Sequence, residues 1–376
     1  MMKSSKQLVK GGCLLLVSMA LVLLIYMGRY SIDKFTEKQV SMVDDDENVF
    51  QLDRKSEAVT QKASQERRRH VLVVGRMSSA TKTIAGLLSD HANFFYAYEP
   101  GLILSQKVYH KHVLIDSKDN LQDIQPAICR FLEDLYDCNF TSHSFFLEAV
   151  NFNTFYNRRG TLANLTYPVT QDKIESFCLS NPNIMSKVVR LSDITSCLPA
   201  LKRKNVKMVF LARDPRGLVT SRLRRWSKGL ASLDTARGAH YYPLTNLVKE
   251  HCYWLEMVFN LLKDAPNWLK ENTMLIRFED LCLYPDIITK ALFKFVGLEE
   301  PGIDAAISES RNETAVGWMN AHNFTQLKEM QDVCPKHIYD DFGWKTFQNE
   351  DELKQVNLSW YGPMPRNTSV LKYQIP

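Results

Sequence analysis

Short, continuous apolar runs recur along this chain and alternate with stretches of helical period. Val71 to Val74, Phe94 to Tyr98, Ile184 to Leu191, Val206 to Leu211 and Met274 to Arg277 read as strands covered on both faces. Ile84 to Leu88, Tyr253 to Lys263 and Asp286 to Phe295 read as helices. This alternation predicts an α/β fold with a three-layer parallel sheet. Leu102 to Asn181 is aromatic and irregular, and is expected to be an insertion that shapes a binding site.

The N-terminus has a different pattern. Lys3, Lys6 and Lys10 precede an uncharged run from Gly11 to Gly28, just long enough to cross a thin bilayer. The lysine bias places the N-terminus in the cytosol. A cleaved signal peptide is the rival reading, but no small-x-small site follows Ile25. The expected division is a cytosolic tail at 1–10, a transmembrane signal anchor at 11–28, a polar stem at 29–69 and a luminal domain at 70–376. The stem carries an acidic knot at Asp44-Asp45-Asp46-Glu47.

Six Asn-x-Ser/Thr sites, at Asn139, Asn164, Asn312, Asn323, Asn357 and Asn367, agree with a luminal body. So do the cysteines, seven of eight lying beyond the anchor. In an oxidising lumen they are expected to pair, with at least one left over, and their spacing gives no zinc pattern. Cys129 and Cys138 are spaced for a local bridge, while the connectivity as a whole stays open. A chain of 376 residues with 45% hydrophobic residues can bury a large core. Its net charge of +5 comes without a long basic tract or interleaved aromatics, which argues against nucleic acid as a partner and is compatible with an anionic substrate.

Two strand-to-helix junctions carry candidate chemistry. After Val206 to Leu211, Arg213-Asp214-Pro215-Arg216 places a capping acid and an N1 proline at a helix start. Ligands of open α/β sheets sit at the carboxyl ends of the strands, where a helix N-terminus offers free amides to an anion. Arg213 and Ser221 could reach one phosphate there, although an ordinary helix start with solvated arginines fits the same residues. After Val71 to Val74 comes Gly75-Arg76-Met77-Ser78-Ser79-Ala80-Thr81-Lys82-Thr83, a small hydroxylated loop with cations, suited to holding phosphate on backbone amides. The first glycine lies too close to Lys82 for the full nucleoside-triphosphate pattern. Glu99-Pro100 ends another strand, where a carboxylate can act as a general base or as a structural acid paired with an arginine.

The Arg-Asp-Pro-Arg segment with Ser221 eight residues beyond Arg213 resembles the 3′-phosphate segment of sulfotransferases that use 3′-phosphoadenosine 5′-phosphosulfate (PAPS). Within that family the chain is similar to the Golgi carbohydrate sulfotransferases that act on 6-hydroxyls of N-acetylglucosamine, galactose or N-acetylgalactosamine. Phe95-Tyr96 before Glu99-Pro100, Lys187-Val188-Val189-Arg190-Leu191, Arg277-Phe278-Glu279-Asp280-Leu281 and the order Trp318, Cys334, Gly343-Trp344 follow the family pattern from about residue 70 to 350.

The resemblance implies a P-loop-like sulfotransferase fold, preceded by one transmembrane helix, in a single-pass type II Golgi membrane protein. It implies PAPS as co-substrate without a metal, a glycan or glycosaminoglycan acceptor, and leaves room for a homo-oligomer. The 5′-phosphosulfate loop falls on Arg76, Ser78, Ser79, Ala80, Thr81, Lys82 and Thr83; Arg213 and Ser221 take the 3′-phosphate; Glu99, Lys82 and Arg76 are the catalytic candidates. The loop departs from the family at Ser78 (a basic residue there), Ala80 (glycine) and Lys82 (a small hydroxyl residue). An alanine is disfavoured if φ is positive. A catalytically degenerate, glycan-binding relative is therefore the alternative. A luminal kinase would want a metal-binding carboxylate where Arg213 follows the strand. Arg277 and Glu279 are expected to form a partly buried ion pair that braces the sheet.

Overall fold

The computed structural model describes residues 68–109, 124–152, 162, 164–229, 244–300, 315–355, 361–362, 370 and 372–374. The predicted tail and anchor, the stem as far as residue 67 and the sites at Asn312, Asn357 and Asn367 lie outside them, while Arg69, assigned to the end of the stem, opens the first strand. Among the described residues no helix is long and apolar enough to cross a membrane. Asn139, Asn164 and Asn323 are exposed.

Five parallel strands form the sheet: β1 (Arg69–Gly75), β2 (Phe94–Tyr98), β3 (Asn183–Val188), β4 (Lys207–Ala212) and β5 (Thr273–Arg277). Their order is β2-β3-β1-β4-β5. All five predicted strands are present. The third ends at Val188, three residues before Leu191, because the chain turns there to bring Val189 and Arg190 onto Glu99.

Alternate residues of each strand enter opposite cores, as the pleat requires. Val71, Val73, Val209, Leu211, Met274 and Ile276 face α1 (Thr81–His91) and the helix Pro285–Val296. Leu72, Val74, Met208, Phe210 and Leu275 face the larger layer. That layer begins with α2 (Pro100–Tyr109), α3 (Gln125–Tyr136), α4 (Ser144–Phe152), α5 (Gln171–Ser180) and α6 (Leu198–Arg203). It continues with α7 (Pro215–Gly229) and α8 (Leu244–Lys263). Three helices then follow around the β5 region: α9 (Asn267–Glu271), α10 (Phe278–Leu283) and α11 (Pro285–Val296). The chain closes with α12 (Phe324–Val333), α13 (Lys336–Asp341) and α14 (Glu350–Lys354).

The stretch from Leu102 to Asn181, expected to be irregular, is helical over α2 to α5. In α3 the period was present: Ile128, Phe131, Leu132 and Leu135 form one buried stripe, while the surrounding aromatics blur it by packing from several directions.

The disulfides correct the expected local bridge. Cys129 joins Cys197, Cys138 joins Cys178 and Cys252 joins Cys334. Cys129 lies within α3, which faces the short 3-10 turn carrying Cys197; Cys138 follows the helix end and faces α5. The leftover thiol is Cys282, which is buried.

Candidate active site

The β1 to α1 junction makes a sharp bend at the carboxyl edge of the sheet. Gly75 is required there: a Cβ would lie 2.7 Å from the Thr81 methyl group and 3.2 Å from the Leu211 carbonyl oxygen. Ser78 and Ala80 both adopt left-handed backbone, with φ of 75° and 65°. Ala80 is the N-cap of α1 and supplies no side-chain cap to the first-turn amides, of which that of Thr83 donates to the Ala80 carbonyl at 2.9 Å. Ser79 is fully buried and its hydroxyl has no hydrogen-bond partner. Of the loop cations, Arg76 is buried and Lys82 is exposed. Thr81 is buried and Thr83 half-buried.

The β4 to α7 junction lies beside it. The helix begins at Pro215 with Asp214 as its cap, the Arg216 amide donating to Asp214 Oδ1 at 2.9 Å. Gly217 packs tightly under Trp318, whose Cδ1 would lie 3.1 Å from an added Cβ. Arg213 is only 7% exposed and rests over the Phe278 ring at 3.9 Å. Its Nη1 donates to the Ser78 carbonyl at 2.6 Å, its Nε has no partner, and no carboxylate among the described residues lies within ion-pairing distance of it. Burial accordingly pulls its basicity down, opposed only in part by the more distant Glu279. A buried guanidinium without a counter-ion is costly unless an anion completes it. His251 holds the Arg213 backbone by donating from Nε2 to its carbonyl at 2.8 Å. Ser221 is half-buried, two turns along α7.

Behind these loops lies a buried polar network with a structural role. The Arg216 guanidinium lies over the rings of Trp318 and Tyr339 at 4.4 and 4.8 Å and donates to Gln331 Oε1 at 3.0 Å. Glu279 accepts from the Asp214 amide at 3.0 Å and from Trp344 Nε1 at 3.1 Å. Burial, reinforced by the Asp214 charge, pushes its carboxyl up to about 7. The expected Arg277–Glu279 pair is corrected: Arg277 pairs with Asp280, one helical step further on, because Glu279 is turned toward Asp214 and Trp344. Arg277 also donates to the carbonyls of Phe342 and Gly362, tying the end of β5 to the C-terminal segments.

Glu99 follows β2 with φ of 51° and is buried. Its Oε2 accepts from Lys187 Nζ at 3.2 Å and Arg190 Nη1 at 3.3 Å, and its Oε1 from the Val189 amide at 3.1 Å. The structural pairing with an arginine is therefore present, with a lysine added. Sequence reading missed these two cations, although a lysine inside an otherwise apolar strand signals a buried partner. It also missed Arg222, 2% exposed, whose Nε donates to the Met77 carbonyl at 3.1 Å.

An open parallel sheet with two anion-ready junctions at its carboxyl edge defines a nucleotide-type group-transfer site. The Sulfotransferase domain family matches residues 70–341, and the chain belongs to that family. It is similar to carbohydrate sulfotransferase 1 of Danio rerio, 24% identical over 350 residues, covering 78% of this chain and 82% of that protein. Human carbohydrate sulfotransferase 6 is 25% identical over 360 residues, covering 81% and 88%. Human carbohydrate sulfotransferase 5 is 22% identical over 347 residues, covering 79% and 82%. Among solved structures, the sulfotransferase domain from the curacin biosynthetic pathway matches 71% of this chain and 96% of its own at 14% identity and a TM-score of 0.37. The protein is a sulfotransferase, and its family draws the sulfuryl group from PAPS. Among the described residues no cluster of His, Cys, Asp or Glu is arranged to hold a metal ion.

Proposed function

We propose that this enzyme transfers the sulfuryl group of PAPS to a glycan hydroxyl, a 6-hydroxyl, in the Golgi lumen, held there by the N-terminal anchor. The observation that carries the donor site is Arg213, a buried guanidinium at the carboxyl edge of the sheet with no carboxylate partner among the described residues. In this reading Arg213 and Ser221 hold the 3′-phosphate. The loop from Arg76 to Thr83 holds the 5′-phosphosulfate through first-turn amides of α1 and the unpartnered Ser79 hydroxyl. The carbohydrate acceptor is inferred from the sulfotransferases that the chain resembles.

The acceptor oxygen attacks sulfur as the bond from sulfur to the bridging phosphate oxygen breaks, and adenosine 3′,5′-bisphosphate leaves. Negative charge grows on that bridging oxygen, so Lys82 and Arg76 supply the stabilising cations. The hydroxyl proton passes to Glu99 Oε1, which accepts from the Val189 amide, whereas Oε2 is held by Lys187 and Arg190.

Calorimetric titration of the full chain with adenosine 3′,5′-bisphosphate, repeated on Arg213→Ala, tests the reading. Binding by the wild type that is lost in the variant supports it. A folded wild-type protein that does not bind would overturn it in favour of a degenerate, glycan-binding relative.

A further inference from the structure

Four carbonyl groups of the β1 to α1 loop, those of Arg76, Met77, Ser78 and Ala80, accept hydrogen bonds. Ser79 N closes a turn onto Arg76 O at 3.1 Å, Arg222 Nε takes Met77 O at 3.1 Å and Arg213 Nη1 takes Ser78 O at 2.6 Å. The amides of Thr83 and Ile84 take Ala80 O. In a trans peptide the N–H lies opposite the preceding carbonyl, so fixing Met77 O on Arg222 aims the Ser78 amide away from Arg222. Ser78 itself has φ of 75°, a region that residues with a side chain seldom occupy without support from their surroundings. A charge-assisted hydrogen bond on the preceding carbonyl is such a support.

We infer that Arg222 is a positioning residue for the 5′-phosphosulfate end of the donor, an inference that rests on the donor site proposed above. Arg222 sits on α7, the helix that begins just after Arg213 and carries Ser221. One rigid body thus holds the 3′-phosphate through Arg213 and Ser221 and sets the backbone of the opposite loop through Arg222. Arg222 is buried against that loop, so its contribution passes through Met77 and Ser78.

The test separates the two ends of the nucleotide. The full chain, as wild type, Arg222→Met and Arg222→Gln, is titrated calorimetrically with adenosine 3′,5′-bisphosphate and with adenosine 3′-monophosphate, which lacks the 5′ group. The ratio of the two affinities measures the grip on the 5′ end. Arg222→Met is expected to bind the 3′-monophosphate within about twofold of wild type while the ratio falls about tenfold or more, the scale of one charged hydrogen bond. Arg222→Gln keeps a neutral donor and should fall between. Retention of the wild-type ratio in Arg222→Met overturns the inference. Where that variant loses its near-ultraviolet circular dichroism, an unchanged ratio in Arg222→Gln does the same. Failure of the wild type to bind either nucleotide overturns the donor site itself, a result distinct from an unchanged ratio.

Discussion

Arg216 and Asp214 form a bidentate pair, Nε to Oδ1 at 2.9 Å and Nη2 to Oδ2 at 2.7 Å, with neither side chain exposed to solvent. The same carboxylate caps α7, and the same guanidinium lies over the rings of Trp318 and Tyr339. Asp214→Ala would leave the arginine charge buried without its partner. The expected loss is about 3–5 kcal/mol, read as a lower midpoint in urea unfolding. A change below about 1 kcal/mol would show that solvent reaches Arg216 in the folded state.

Ala80 carries a methyl group at φ of 65°. Left-handed backbone costs a residue with a side chain about 1–2 kcal/mol. The extra freedom of glycine in the unfolded chain returns about 0.4–1 kcal/mol of that. Ala80→Gly is therefore expected to raise the melting temperature slightly and to bind adenosine 3′,5′-bisphosphate at least as well as wild type. A lower melting temperature would show that the methyl group packs favourably in the loop.

Lys82 is exposed on the first turn of α1, so Lys82→Ala should leave stability unchanged. If the ammonium meets charge that develops on the leaving group, kcat falls about 100-fold or more, while affinity for adenosine 3′,5′-bisphosphate falls far less. Steady-state kinetics with PAPS and a carbohydrate acceptor, paired with calorimetry, give both numbers. An equal loss in both would assign Lys82 to ground-state binding.

Glu279 has a carboxyl pushed up to about 7 by burial and by the Asp214 charge. Between its ordinary value near 4.5 and about 7 the folded chain keeps a proton that the unfolded chain has released. Its contribution therefore falls as pH rises through that window, by up to about 1.4 kcal/mol per pH unit. Unfolding free energies from pH 5 to 8 should show this slope in wild type and a flatter one in Glu279→Gln. Identical slopes would mean that Glu279 is already ionised in the folded protein at pH 5.

The strands were legible because each holds a run of apolar residues, as burial on both faces demands, even where Ser186 and Lys187 interrupt β3, and the start of α7 because Asp214 and Pro215 carry their own capping chemistry. The helices between Leu102 and Asn181 were not, because Phe131, Phe140, Phe145 and Phe146 cluster from different directions and mask the period of α3. Pairwise geometry was beyond reach altogether. Cys129 lies nine positions before Cys138 in sequence yet faces Cys197, and Glu279 was matched with Arg277 while Asp280 holds that arginine. The loop residues from Arg76 to Thr83 could be picked out by composition, but that Arg213 and Arg222 hold them depends on a contact across more than 130 positions.

The three disulfides among the described residues lie in the larger helical layer, closing sequence separations of 68, 40 and 82 residues, and none of them crosses the sheet or enters the layer of α1 and α11. Loops of that size correspond to about 4 kcal/mol of chain entropy each. A reductant would thus act on the two sides unequally: the helices over β3 and β4 would lose their covalent staples, while the layer beneath β1 would be held, as before, by packing alone.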